Sequence, residues 1–481
     1  GWRPVRFGQV EGSRMSGQRA FTAKSILLGL AGALAICFAA YPNDFMFKST
    51  PLIGNNLPLG VFLILFLLNI LYRPVSVFLP RAFRFSNGEL AVSLVLMLGA
   101  CAIPTSGLMR YFPQILTAPY DMYATRQHWQ TEGVLNTVPD HLVPVGWYTG
   151  EDGDPGGDGL TERRQRRKLE RAEAANKGFR NGLITGTQFI YYWETPQTDQ
   201  TIPLSSWFGP LVFWVPVILL FLLAMIAMMV VVHPQWSRNE LLPYPIAEFT
   251  TEMMHVPDGG RVPKVWKNRA FWVSFGLVAA VHLVRVLYVW YPDSMVNISI
   301  DWRLSSVFAA NYPDFYHHSF RPWAVFNGKL YLAVVGLAFL IPTDVSFSLG
   351  ITSAALAVFA YTMWTFGVNY SGYQHEASLA GAYLGMFLMI LYLGRQYYWG
   401  VLKAAFGGRR RASQSIDGSI VWAARICIAA YLGLVFACTT AGLNLWLSAS
   451  FVGTIAVLYL VLARISAETG SPLIQASWKP A

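Results

Sequence analysis

Residues 211–232, LVFWVPVILLFLLAMIAMMVVV, contain no charged side chain, and comparable apolar runs recur along the chain. A helix of roughly 20 residues crosses a hydrocarbon layer about 30 Å thick. Inside lipid, every backbone N–H and C=O needs a partner, so only helices and closed barrels cross it. The length and continuity of these runs exclude a barrel, whose strands are short and alternate apolar with polar residues. Of the 481 residues only 13% are charged and 54% are hydrophobic, whereas soluble domains carry about 25% charged residues. The sequence therefore predicts an all-α polytopic transmembrane protein.

The apolar runs place spans at 22–41, 57–80, 88–109, 206–232, 268–290, 328–342, 346–368, 377–399, 419–441 and 444–464, about ten transmembrane helices by length. Between them lie a polar region at 110–205 and a loop at 291–327. The organisation is thus 1–109 with three helices, 110–205, 206–290 with helices four and five, 291–327, and 328–481 with the remaining helices. Because the sequence begins at Gly1 and stops soon after a helix, the helix count is read as a lower bound.

Orientation follows from where Lys and Arg fall. They concentrate at the N-terminus (Arg3, Arg6, Arg14, Arg19, Lys24) and after span two (Arg73, Arg81, Arg84). They recur after span four (Arg238, Arg261, Lys264, Lys267, Arg269) and after span eight (Arg395, Lys403, Arg409, Arg410, Arg411). The short loops on the other side are poor in them, 42–56 holding only Lys48 and 369–376 and 442–443 none, with Arg303 and Arg321 in 291–327 a mild exception. The positive-inside rule, counted over short loops, puts both termini in the cytoplasm and 110–205 and 291–327 outside. The same distribution explains the net charge of +10 as topology and gives no reason to expect nucleic acid. Cys37, Cys101, Cys427 and Cys438 all lie in apolar segments, where they read as small buried hydrophobes without disulfide or metal spacing.

Within 110–205, many Tyr and Trp residues give surface enough to fold against the membrane part or to dock a partner. The run EDGDPGGDG resembles a calcium loop, but Gly156 stands where an alternate ligand belongs, so the match fails. The charged stretch after it reads as a solvated helix with Glu162–Arg166 and Glu173–Lys177 pairs. In 291–327, aromatic residues and three acids suggest a segment packed on the membrane part, with His317 and His318 as hydrogen-bonding surface groups.

Ionisable residues inside spans are costly and mark candidate functional positions. Span six is short up to Pro342, and Asp344 follows at its junction with span seven. Either Thr343 or Asp344 caps the next helix, or Asp344 lines the polar break of a short helical hairpin, as in transporters built from broken helices. His282 shares a face of span five with Arg285 and is a candidate proton relay. Glu248 and Glu252, four apart after Pro245, share one face of a helix that the proline can start. That helix is either a cytoplasmic amphipathic segment or one that presents its acids to a cation or basic substrate. Gly381 and Gly385 form a GxxxG that predicts close helix packing. There is no phosphate-binding loop, HExxH, nucleophile elbow or dinucleotide fingerprint, so neither enzyme activity nor a cofactor is expected.

The stretch ELLPYPIAEFTTEMM resembles the L-P-(F/Y)-P segment of the oligopeptide transporter superfamily at Leu242, Pro243, Tyr244 and Pro245, although Ala247 replaces the usual glycine. PTDVSFSLG (342–350), HEASLAGAYLGMFLMILYLGRQ (375–396) and ARISAETGSP (463–472) resemble an uncharacterised bacterial family of polytopic membrane proteins. The short hairpin at Asp344 and the proline-rich acidic stretch, with this resemblance beside them, lead to the expectation of a secondary transporter of the bacterial inner (cytoplasmic) membrane, open to proton coupling. A small polar solute, peptide or metal chelate would be moved, with Asp344, Glu248, Glu252 and His282 as substrate or coupling-ion groups. The alternative is a non-transporting scaffold, a homo-oligomer or a subunit of a membrane complex docking through 110–205. An integral-membrane enzyme is the third reading.

Overall fold

The structure, a computed structural model, describes residues 21–46, 58–72, 85–104, 107–132, 204–254, 263–339, 341–370, 372–407 and 416–470, with isolated residues between these stretches. In chain order its elements begin with α1 (Ala23–Tyr41), α2 (Leu59–Leu67), α3 (Asn87–Ala100), α4 (Leu108–Thr125) and α5 (Gln127–Thr131). Then come α6 (Leu204–Pro234), α7 (Pro245–Met254), α8 (Lys264–Lys267), α9 (Arg269–Trp290), β1 (Asp301–Arg303), α10 (Ser305–Asn311), α11 (Pro313–His318), α12 (Trp323–Phe326) and β2 (Asn327–Lys329). The chain continues through α13 (Leu332–Ala338), α14 (Thr343–Thr365), α15 (Gly372–Leu393), α16 (Arg395–Ala405), α17 (Gly418–Thr440) and α18 (Leu445–Thr469). Wide π turns, Pro42–Met46, Leu68–Tyr72 and Gln235–Asn239, extend α1, α2 and α6.

Among the described residues, seven helices are long and apolar enough to cross a membrane: α1, α6, α9, α14, α15, α17 and α18. Two shorter apolar helices cover Gly60–Tyr72 and Asn87–Ala100. The all-α class holds, with one small exception. The span expected at 328–342 begins instead as β2, which pairs antiparallel with β1 (Trp302 opposite Gly328) and leads into the short α13. The span expected at 377–399 divides at Gly394, where α15 ends and α16 begins. The calcium-like run and the charged stretch after it lie outside the described residues.

The chain forms two compact units. In the first, α1 and α3 lie close because small residues line their seam. A Cβ on Gly29 would stand 2.6 Å from Leu96 Cδ1 and 3.2 Å from Ser93 Cα, and one on Gly32 would run into Met97 Cε. Ser93 donates across the seam to the Ser25 carbonyl at 2.8 Å. Capping boxes start both helices, Thr22 with Ser25 and Ser86 with Glu89, satisfying backbone donors that would otherwise be orphaned. The core of this unit is Ile36, Val61, Leu65, Leu94 and Met97, with Met253, Met254 and Trp266 closing it.

In the second unit, α6 packs on α17 and α18 around buried Ala224, Ala430, Leu434 and Val452. A second cluster joins α6, α15 and α18 through Met228, Val232, Trp236, Tyr383, Ile390, Leu460 and Val461. The small side chains let these helices approach closely, as interfaces between apolar helices favour. The expected GxxxG is not such an interface: a Cβ on Gly381 or Gly385 would meet nothing within 4 Å. Residues 305–326 fold onto the end of α14, with His318 stacked on Trp364 at 3.7 Å and Phe315 against Tyr361 at 5.1 Å. The His318 ring also contacts the Asp314 carbonyl at 2.8 Å, the hydrogen-bonding role expected of it.

Candidate functional site

At the end of α6 the wide turn Gln235–Asn239 carries the chain off the helix, and Leu242 N–H returns to the Trp236 carbonyl at 3.0 Å. Two non-glycine residues of the following LLPYP then adopt left-handed backbone, Leu241 at φ 54 and Tyr244 at φ 44. For residues with a Cβ this conformation costs roughly 1–2 kcal/mol each, so the surroundings must hold it. Tyr244 N–H donates to the Ala467 carbonyl of α18 at 3.0 Å, and Pro245, buried, starts α7. α18 ends beside it at Gly470, φ 59, where an added Cβ would stand 2.7 Å from Pro245 Cβ.

Between the LLPYP turn and α18 lies an ion cluster. Arg464, only 4% exposed, donates from Nη1 to Glu240 Oε2 and from Nε to Glu468 Oε2, the latter at 3.3 Å. Its guanidinium lies 5.4 Å from the ring centroid of Trp236. Gln235 Nε2 donates to the other Glu240 oxygen at 3.0 Å, and Asn239 supports Gln235 at 2.6 Å. Two carboxylates thus face one guanidinium. A buried charge costs several kcal/mol in desolvation, and this geometry offsets it with charge-assisted hydrogen bonds to both acids.

Three polar atoms around the cluster are enclosed without a hydrogen-bond partner among the described residues: Trp236 Nε1, Tyr244 Oη and Tyr398 Oη. The Trp236 N–H acts on the Tyr398 hydroxyl without the geometry of a formed bond. Burial, reinforced by the Glu240 carboxylate, pushes the Tyr398 phenol well above its usual range, and burial raises Tyr244 as well. Buried polar groups are almost always paired, so each orphan carries a cost of about 1–3 kcal/mol that another arrangement would relieve.

A family model described as a family of unknown function, DUF6785, matches residues 15–481. The chain belongs to this family. No curated protein and no solved structure matches it. The expected resemblance to an uncharacterised family is therefore shown, and the likeness to oligopeptide transporters has no support in these comparisons. Two segments noted in the sequence of this DUF6785 protein, 240–254 and 463–472, meet in the ion cluster through Glu240, Tyr244, Pro245, Arg464 and Ala467.

The acids and histidine singled out in the sequence are not part of this cluster. Asp344 is exposed in the first turn of α14. It does not cap that helix: Pro342 holds the cap position without a side-chain bond, and Asp344 complements the helix dipole instead. His282 is exposed on α9. On α7, Phe249, Met253 and Met254 pack into the first unit's core, leaving Glu252 exposed and Glu248 half-buried. Among the described residues no ion pair joins any of these four side chains to another group, and no group of three or more His, Cys, Asp and Glu could hold a metal. Sequence reasoning passed over Arg464 and Glu468 because the last span was drawn to end at 464. An Arg–Glu pair at i,i+4 in the final turns of an apolar helix was the available signal.

Proposed function

We propose that this DUF6785 protein is a secondary transporter of a bacterial inner membrane, with both termini cytoplasmic, moving a small polar solute, peptide or metal chelate. In this reading the Glu240–Arg464 pair is its inner latch. One observation carries the proposal: a buried arginine bonded to an acid from a distant segment, beside a turn held in two left-handed conformations. Alternating access needs a contact that is firm in one state and released in another, and packed elements of this kind are bistable. Strained backbone tends to gather at such switching regions. Opening the latch would relax Leu241 and Tyr244 and hydrate the three orphaned polar atoms, which offsets the loss of the ion pair. α6 and α18 both end at this cluster, on the side rich in Lys and Arg, so the latch belongs to the cytoplasmic side. Asp344, at the break after the short α13, is the leading coupling group; Glu248, Glu252 and His282 are secondary ones.

The test is flux. Purified protein in proteoliposomes should accumulate solutes from a panel of dipeptides, small zwitterions and metal chelates under an imposed pH or ion gradient. No flux under any gradient would remove the transporter reading. The second reading, a non-transporting subunit of a membrane complex, is favoured by α9, whose apolar window has no buried residue. It calls for stable co-purification with other membrane proteins through that helix.

A further inference from the structure

We infer that α16 carries a binding site for an anionic phospholipid. One face of this helix is buried: Tyr397, Val401 and Ala405 pack against Ile420 and Ala424 of α17, and Tyr397 donates to the Val231 carbonyl at 2.9 Å. The opposite face is not. Trp399 (59% exposed), Leu402 (38%) and Phe406 (75%) line, with Lys403, a groove of ≈ 260 Å³. A short amphipathic helix beside spanning helices sits where hydrocarbon gives way to headgroups.

The cations here are what select the occupant. Lys403 Nζ lies 5.3 Å from the Trp399 ring centroid, the Arg395 guanidinium 4.3 Å from that of Tyr392, and the Arg425 guanidinium 5.0 Å from that of Trp422. Arg425 also donates from Nε to the Ala405 carbonyl at 2.8 Å, which ties it to the end of α16. Among the described residues, none of the three has an acidic partner. Each is braced by an aromatic face and keeps donors for an anion. Beyond α16 the sequence runs directly into Arg409, Arg410 and Arg411. A phosphate on Lys403 with acyl chains along Leu402 and Phe406 satisfies both halves of the groove. A free anion would leave the apolar half bare, and a neutral lipid would leave the cations uncompensated.

The test uses the full chain, delipidated in detergent, with lipid binding read by native mass spectrometry and by the rise in melting temperature. Phosphatidylglycerol should bind and stabilise more than phosphatidylcholine, and inorganic phosphate should do neither. Lys403→Gln should weaken phosphatidylglycerol binding roughly fivefold, about the contribution of one basic residue at an anionic surface, while its melting temperature without lipid stays at the wild-type value. Arg395→Gln, also exposed, serves if the first variant does not fold. Equal binding of the two lipids, or unchanged binding in the variants, overturns the inference. Phosphate competing as well as the lipid would show a free-anion site and overturn it too. None of these outcomes depends on whether the protein transports.

Discussion

Arg464 Nη1 is bonded to Glu240 Oε2 across a sequence separation of 224 residues, while the same guanidinium covers the ring of Trp236. The bond ties the end of α18 to the turn that leaves α6, so two spanning helices share one ionic fastening. Its neighbours are a left-handed tyrosine and three enclosed polar atoms without partners among the described residues. In the proposed transporter reading, this is the arrangement of a state held ready to rearrange.

Removing one member of the pair strands the other in a buried site. Arg464→Ala should destabilise the protein by about 3–5 kcal/mol, seen as a lower melting temperature in detergent. Arg464→Lys should recover only part of this, because an ammonium cannot bridge both carboxylates in a planar fork. The double variant Glu240→Leu with Arg464→Met should melt near the wild-type temperature, since well-packed apolar replacements of buried pairs are often neutral or stabilising. If the pair is a latch, the double variant folds but loses gradient-driven accumulation.

Gly470 ends α18 in the left-handed region, with Pro245 where a Cβ would go. Gly470→Ala should cost about 1–2 kcal/mol for the backbone conformation alone, and more from the clash. Thermal unfolding of the purified variant checks this. Gly381→Ala, in open space on α15, should leave the melting temperature unchanged or raise it slightly.

In the first unit, the α1–α3 seam gives a sharper contrast between two glycines. At Gly32 the obstructing atoms belong to the flexible end of Met97, whereas at Gly29 they include Leu96 Cβ and the Ser93 backbone. Gly29→Ala should therefore destabilise more than Gly32→Ala, with overpacking costs of about 1–3 kcal/mol. Protease resistance in detergent, measured for both variants, should rank them in that order.

Tyr397 supplies a pH dependence. Burial pushes its phenol up to about 12 from an ordinary value of 10.0. The folded state therefore holds the phenolic proton more tightly than the unfolded chain. The associated stability is complete below pH 10 and is lost as pH rises toward 12. Tyr397→Phe should flatten this part of the stability profile, at the expense of the hydrogen bond to Val231.

The apolar runs made the spanning helices legible, and α17 and α18 fall close to their expected limits because nothing interrupts their pattern. What failed was local. The expected span at 328–342 starts late because its first residues, Gly328 and Lys329, pair with β1 in β2, where Gly328 leaves room for Trp302, and only Leu332–Ala338 of the apolar run forms helix. Another expected span divides at Gly394, where the Tyr398 ring occupies the place a Cβ would take. Glu248 and Glu252 were correctly placed on one helix, but the ion pair that organises the turn before them joins residues too distant in sequence for any spacing rule to connect. The proline-rich run at 240–254 marks the place in the sequence; only the fold shows that its partner is Arg464.

The latch is tested most directly by fastening it covalently. Tyr244 and Ala467 already share a backbone hydrogen bond at 3.0 Å. In a background with Cys37, Cys101, Cys427 and Cys438 replaced, Tyr244→Cys with Ala467→Cys should form a disulfide on oxidation. Solute flux into proteoliposomes should then stop on oxidation and return on reduction, with the reduced form controlling for the substitutions themselves. A fully oxidised protein that transports at the rate of its reduced form would contradict the account.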